Sequence, residues 1–178
     1  NNETRLKYND TLAIRGILKK SPENIDSKNI SLFLGSDFHY VIYPVNPEGD
    51  LNFIAIMKYN LSFEEQRNYS LFSENSFIEK VFEKIPLSNK DFLKDLKDLK
   101  IFPVFVSDNF YKIENNNIHL IGDAFFAFPP SFAQGASQSI QGAYELFKCI
   151  ENNKESNFFK NRVNKVKMEN IRSKLNEF

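Results

Sequence analysis

The apolar positions of this chain change their spacing along its length. Between Thr11 and Lys58 they are β-branched or aromatic and recur at short period, which predicts strands at Thr11–Leu18, Ile30–Leu34, His39–Val45 and Leu51–Met57. Gly35-Ser36-Asp37 and Pro47-Glu48-Gly49-Asp50 are turn signals between them. Short turns joining consecutive strands imply an antiparallel meander, since parallel neighbours need long crossovers. From Ser62 the spacing becomes helical. Phe72, Phe77, Ile78, Val81, Phe82 and Ile85 form one stripe, and Pro86 ends it. Asp91 to Lys100 is predicted as a second helix, with Phe92, Leu93, Leu96 and Leu99 inward. Its alternating Lys and Asp residues resemble a partner-binding patch, but a solvated face is the commoner meaning. Ile101–Val106 is predicted as a strand, at a sheet edge because Pro103 has no N–H to donate. Asn115-Asn116-Asn117 is a turn, and Ile118–Ile121 a short apolar strand. A loop with Pro129-Pro130 follows, then a helix from Gln134 to about Glu151, then a charged helix from Ser156 to Asn176. The fold class is α+β: an antiparallel sheet with helices over residues 1–112, then a strand, loop and helix with a C-terminal helix over residues 113–178.

Composition narrows the function classes. The chain has 178 residues, and its Lys and Arg equal its Asp and Glu at 23 each. That balance gives no electrostatic footprint for a nucleic-acid partner. The single cysteine, Cys149, can build no disulfide framework, and with two histidines no Cys/His metal cluster follows. No stretch approaches the roughly 20 apolar residues of a membrane span, and none has the form of a secretory leader. A cytoplasmic setting and no metal are therefore expected. The chain opens at Asn1 rather than Met, which suggests that the start of a parent protein is missing.

The chemistry concentrates between Ile118 and Leu146. A strand ends at Gly122, where a Cβ would crowd a turn. Asp123 lies just past that strand's carboxyl end, where open α/β sheets bind ligands. An ionised carboxylate there accepts hydrogen bonds from ligand hydroxyls. Pro129 and Pro130 stiffen the loop. Gln134, Gly135, Ala136 and Ser137 then open a helix with mostly small residues, leaving its free N–H groups and positive dipole end approachable. Such a tip suits an anion or a polarised carbonyl. A bare Gly-Asp pair would more often be a cap on a tight loop. The ordered series of apolar strand, Gly-Asp-Ala, Pro-Pro and Gln-Gly-Ala-x-Gln is far more specific.

That series resembles the second flavin motif of the class A flavoprotein monooxygenases, the group of para-hydroxybenzoate and salicylate hydroxylases. Their pattern is Gly-Asp-Ala-Ala-His, a proline loop, then Gly-Gln-Gly-Ala-Asn-Gln. Gly122, Asp123 and Ala124 match, as do Pro129 and Pro130, then Gln134, Gly135, Ala136 and Gln138, with Ala143 and Leu146 in the helix body. Ala13-Ile14-Arg15-Gly16 resembles the family's Arg-Gly strand. His39 to Val45 with Leu51 to Ala55 resembles its substrate-domain hairpin, and Asn157 to Lys167 its Arg-containing C-terminal helix. The departures are Phe126 for His, Ala133 for Gly and Ser137 for Asn. The resemblance implies a fragment of an α/β FAD-binding fold. Asp123 would bind the ribityl chain of FAD, and Pro129 would lie beside the ring. Gly135, Ala136 and Ser137 would present N–H groups to the ring edge that gains negative charge on reduction. The sheet of residues 11–58 would roof the flavin, with Arg15, His39 and Tyr43 as candidate substrate contacts, although surface or core roles are commoner for such residues. No catalytic side chain is assigned, and no nucleophile elbow is present.

The implied activity is hydroxylation of a small aromatic or quinone-like substrate with NAD(P)H and O2. The fold would also need a Gly-x-Gly-x-x-Gly unit for the dinucleotide. The six glycines here, Gly16, Gly35, Gly49, Gly122, Gly135 and Gly142, have no such spacing. The N-terminal dinucleotide-binding half is therefore expected as a missing partner. Two alternatives stand: a non-catalytic remnant or interaction domain of the same fold, and a related flavin oxidoreductase of halogenase or reductase type.

Overall fold

The computed structural model describes residues 6–22, 25–87, 90–113, 118–130 and 134–175, with side chains to residue 169. The chain forms two compact units. One spans Tyr8–Val104, and the other takes the chain from Phe105 onward together with the first described residues, 6–7.

Five strands form one sheet: β1 (Leu6–Leu18), β2 (Ser31–Leu34), β3 (Phe38–Pro44), β4 (Leu51–Lys58) and β5 (Lys97–Ser107). Their order is β2-β3-β4-β1-β5. The β2/β3 and β3/β4 pairs are antiparallel, as the short turns imply, but β1 departs from the expected meander: no tight turn ties it to β2, and it pairs antiparallel with β4 instead. Residues directly opposite in a ladder share a face. One face carries Ile14, Ala55 and Tyr40 in register, then Gly16, Phe53 and Ile42, and it is buried throughout. Full burial of each such large side chain is worth roughly 1.5–3 kcal/mol. Helix α1 (Asn75–Lys84) belongs to the same unit and buries Phe77 and Val81. Phe92 meets Tyr40 and Phe53 at centroid distances of 6.4 and 5.8 Å. The end of α1 is satisfied by Lys90, whose Nζ donates to the Phe82 and Glu83 carbonyls.

The helix expected over Asp91–Lys100 is not formed. Asp91–Asp95 is a single 3-10 turn, and Lys97 already begins β5. Leu93 and Leu96 are buried as expected. The chain then joins the sheet beside β1, where a ladder satisfies its backbone groups as well as a helix would. Asp98 takes a left-handed conformation, φ +50°. That step shifts the alternation so that the three-residue Lys-Asp-Leu repeat still turns Leu99 and Ile101 inward. Gly16 permits the approach, since a Cβ there would lie 2.9 Å from Leu96 Cδ2. β5 is an edge strand, as Pro103 requires.

In the second unit, α2 spans Gln134–Glu151 and α3 spans Glu155–Leu175, close to the expected bounds. Its apolar centre is Phe125, Phe126 and Val166, with Phe110, Phe128, Phe159 and Val163 around them. The strand expected over Ile118–Ile121 differs. Ile121 has extended geometry, φ −133° and ψ 166°, but the segment joins no ladder among the described residues. A strand exists only through a neighbour's hydrogen bonds, and the pattern of apolar residues cannot supply that neighbour.

Candidate functional site

The Gly-Asp-Ala segment is a single 3-10 turn, Gly122–Ala124, at the end of that extended run. Gly122 has φ +58°, and a Cβ on it would lie 2.6 Å from Ser139 Oγ. Its lack of a side chain thus both permits the turn and brings the loop down onto the first turns of α2. The Gly122 carbonyl accepts from the Phe125 and Phe126 N–H groups, each at 3.0 Å. Those two residues then turn inward, while Asp123 and Ala124 remain exposed. Ser107 pins the loop from behind: its N–H donates to the Ala127 carbonyl and its hydroxyl accepts from the Ala127 N–H.

The helix start meets this loop. Asp123 Oδ1 lies 3.9 Å from the position a Cβ of Gly135 would occupy. The carboxylate and the tip of α2 therefore share one edge. Ser137 Oγ donates back to the Gln134 carbonyl at 2.9 Å, and Ser139 Oγ to the Gly135 carbonyl at 2.8 Å. Ala136 and Ser137 are exposed, Gln134 and Gly135 half-buried. The first N–H groups of an 18-residue helix have no partners within it. The edge thus combines an exposed acceptor with a set of donors at a positive dipole end. This suits FAD, which carries ribityl hydroxyls and an electron-rich ring edge. The structure brings together Gly122, Asp123, Gln134 and Gly135, and places Ala136 and Ser137 on the same turn. Pro129 is exposed on the connecting loop. Ala133 lies outside the described residues.

Phe126, where the resemblance expects His, faces the core. It is buried and stacks on Phe110 at 4.9 Å, with Phe128 edge-on at 5.0 Å. His119 is structural, lying edge-on to Phe158 at 5.8 Å. A hollow of about 610 Å³ in this unit is lined by Ile118, His119, Phe125, Ile150 and Phe159 among others. None of Gly122, Asp123 or Gln134–Ser137 lines it, so the hollow follows the unpaired extended segment rather than the motif.

The other three candidates lie in the sheet unit. Arg15 stands opposite Ile54 and Val41, His39 opposite Ile56 and Ala13, and Tyr43 opposite Asn52 and Ile17. All three therefore project from one sheet face, the one opposite the buried core face. Arg15 is exposed, and His39 and Tyr43 are half-buried. Burial holds the His39 imidazole below its usual pKa, which favours the neutral ring. Asn52, on the same face, was not singled out from the sequence. It is buried, and its Nδ2 has no hydrogen-bond partner. Arg162, buried between α2 and α3, was read from the sequence only as the arginine of the C-terminal helix, with no role assigned. The signal was its place on the stripe Phe158, Arg162, Val166, at i, i+4 and i+8 of a helix.

Among the described residues no helix is long and apolar enough to cross a membrane, and no group of three His, Cys, Asp or Glu side chains could hold a metal.

No family model matches the chain, and no curated protein matches it in sequence. Solved structures do match its fold. A variant of HpxO from Klebsiella pneumoniae complexed with FAD is 13% identical, with a TM-score of 0.59 over 88% of this chain and 42% of its own. CtdE in complex with FAD and a substrate is 16% identical, with a TM-score of 0.60 over 88% and 43%. Tetracycline destructase Tet(51) is 14% identical, with a TM-score of 0.60 over 92% and 45%. A further HpxO structure holds FAD and uric acid. The likeness is one of fold: the antiparallel sheet and helices of this chain match part of structures that include FAD complexes. This chain spans less than half the length of the structures it matches.

Proposed function

We propose that this chain is part of an FAD-dependent monooxygenase that hydroxylates a small aromatic or quinone-like substrate, with NAD(P)H as reductant and O2 as co-substrate. The observation that carries the reading is the Asp123 carboxylate beside Gly135 at the open tip of α2. Asp123 would accept hydrogen bonds from the ribityl hydroxyls, and Pro129 would lie beside the ring. The N–H groups of Gly135, Ala136 and Ser137 would serve its pyrimidine edge, and Gly122 and Gln134 shape the turn and tip that would hold them. When bound, FAD supplies the electron transfer and oxygen chemistry, and the helix tip favours negative charge at the ring edge. Residues 113–178 are the C-terminal part of the FAD-binding domain, and residues 1–112 the substrate-binding domain. Arg15, His39 and Tyr43 contact the substrate from their common sheet face, and the orphaned Asn52 Nδ2 on that face offers a donor to a ring oxygen. Uric acid in the HpxO complex is a planar ring with carbonyl oxygens, which fits that class. The dinucleotide-binding half is supplied by further polypeptide, for which the unpaired Ile118–Ile121 run and the hollow beside it leave a place.

The test is FAD retention by the complete polypeptide that carries the glycine-rich half. Asp123→Ala should raise the FAD dissociation constant about tenfold or more, the scale of a charged hydrogen bond, with the fold retained. Unchanged retention refutes the assigned role. NAD(P)H oxidation stimulated by members of a phenol and quinone panel then identifies the substrate class. The second reading, a non-catalytic remnant, is favoured by the absence of a Gly-x-Gly-x-x-Gly spacing from the sequence. It prevails if the complete polypeptide holds no flavin.

A further inference from the structure

We infer that Arg162 is a positioning residue, the one that sets the start of α2 against the Gly122–Phe128 loop. The buried residues of α2 are Gln138 and Gly142, neither of them a large apolar side chain. Both meet the Arg162 side chain, which is 4% exposed. Its Nη2 donates to the Gln138 carbonyl at 2.8 Å and also to Oε1 of the same residue. Its Nη1 pairs with Glu145 Oε2 at 3.4 Å, and Lys165 holds the other Glu145 oxygen at 2.6 Å. Gly142 lies against the guanidinium: a Cβ on it would sit in ordinary contact, 3.5 Å from Arg162 Nε. A buried guanidinium costs several kcal/mol unless its donors are matched, and here α2 matches them.

The same face of α3 also holds the loop. Phe158 and Val166, four residues to either side of Arg162, are buried. Val166 packs with Phe125 and Phe126, which follow Gly122–Ala124 directly, and Phe158 lies 6.5 Å from the Phe125 ring. One helix face thus grips the Asp123 loop by apolar contacts and α2, four residues beyond its first residue, by a charged fork. The distance between carboxylate and tip follows from both grips. Oily contacts alone would let α2 slide along or turn about its axis, because they are non-directional. A fork with a fixed geometry does not.

The inference rests on the flavin reading only for what the assembled edge binds, and its test uses no flavin. Amide hydrogen exchange is measured residue by residue in the wild-type chain, Arg162→Met and Arg162→Lys. In Arg162→Met, exchange from Gln138 to Gly142, beyond the unpaired first N–H groups, should accelerate about tenfold or more, while Ile14, Phe53 and Ala55 in the sheet unit keep their rates. Arg162→Lys retains the charge for Glu145 but cannot serve Gln138 in fork geometry, so it should accelerate the same stretch by a smaller factor. Wild-type rates in Arg162→Met overturn the inference. So does full rescue by Lys, which would reduce the role to a charge. Equal acceleration over all of residues 105–175 in both variants also overturns it, since Arg162 would then be a general stability residue.

Discussion

Gly122 answers two demands at once, a left-handed backbone and a close approach to Ser139. Gly122→Ala should therefore cost about 2 kcal/mol or more, from an αL penalty and a steric clash. Urea unfolding followed by circular dichroism measures it. Adding Ser139→Ala should recover the steric part only, because the 2.6 Å contact is to the hydroxyl while the φ of +58° remains. Full recovery would mean that the backbone is not strained. His39 offers a pH test at the same scale. Burial lowers its pKa in the folded chain. As pH falls through about 6.5, the unfolded chain takes up this proton first, so stability declines until the folded pKa is reached and then levels. Above about pH 7 the residue makes no such contribution. His39→Gln should flatten the loss of urea midpoint between pH 7.5 and 5.5, and an unchanged slope refutes the burial.

Among the elements, α2 is unusual in turning its apolar side chains outward. Ile140 is 72% exposed and Phe147 55%, with Tyr144 and Ile150 on the same stripe at i+4 and i+10 from Ile140. Contiguous exposed apolar surface of this kind promotes association. Ile140→Glu with Phe147→Glu should lower self-association and the binding of a hydrophobic dye by this chain, at a stability change within about 0.5 kcal/mol per site. Equilibrium sedimentation and dye fluorescence measure this, and unaltered self-association refutes it. Elements with a strong period were legible in the sequence: β1, β3, β4, α1 and α2 all lie within a few residues of expectation, β1 extending furthest beyond it. Two were not. Asp91–Lys100 has a period near three that serves helix and strand alike, and a ladder beside β1 decided for strand. Ile118–Ile121 has the composition of a strand but no neighbour to pair with among the described residues.

For the whole molecule, the succession of strands and helices along the chain, the edge position of β5 and the motif from Gly122 to Gln138 were contained in the chain's local patterns, while the place of β1 between β4 and β5 was not. These are properties of neighbours along the sequence: side-chain period, turn residues, a proline without a donor, glycines where a Cβ cannot fit. The tertiary structure alone decided which distant residues meet. It set the register that puts Arg15 on the sheet face that strand alternation already gives to His39 and Tyr43. It brought Asp123 beside Gly135 across a loop of eleven intervening residues, and tied Arg162 to Gln138 twenty-four positions away. Such meetings depend on loop closure and packing summed over a whole unit, and no local window of sequence contains those terms.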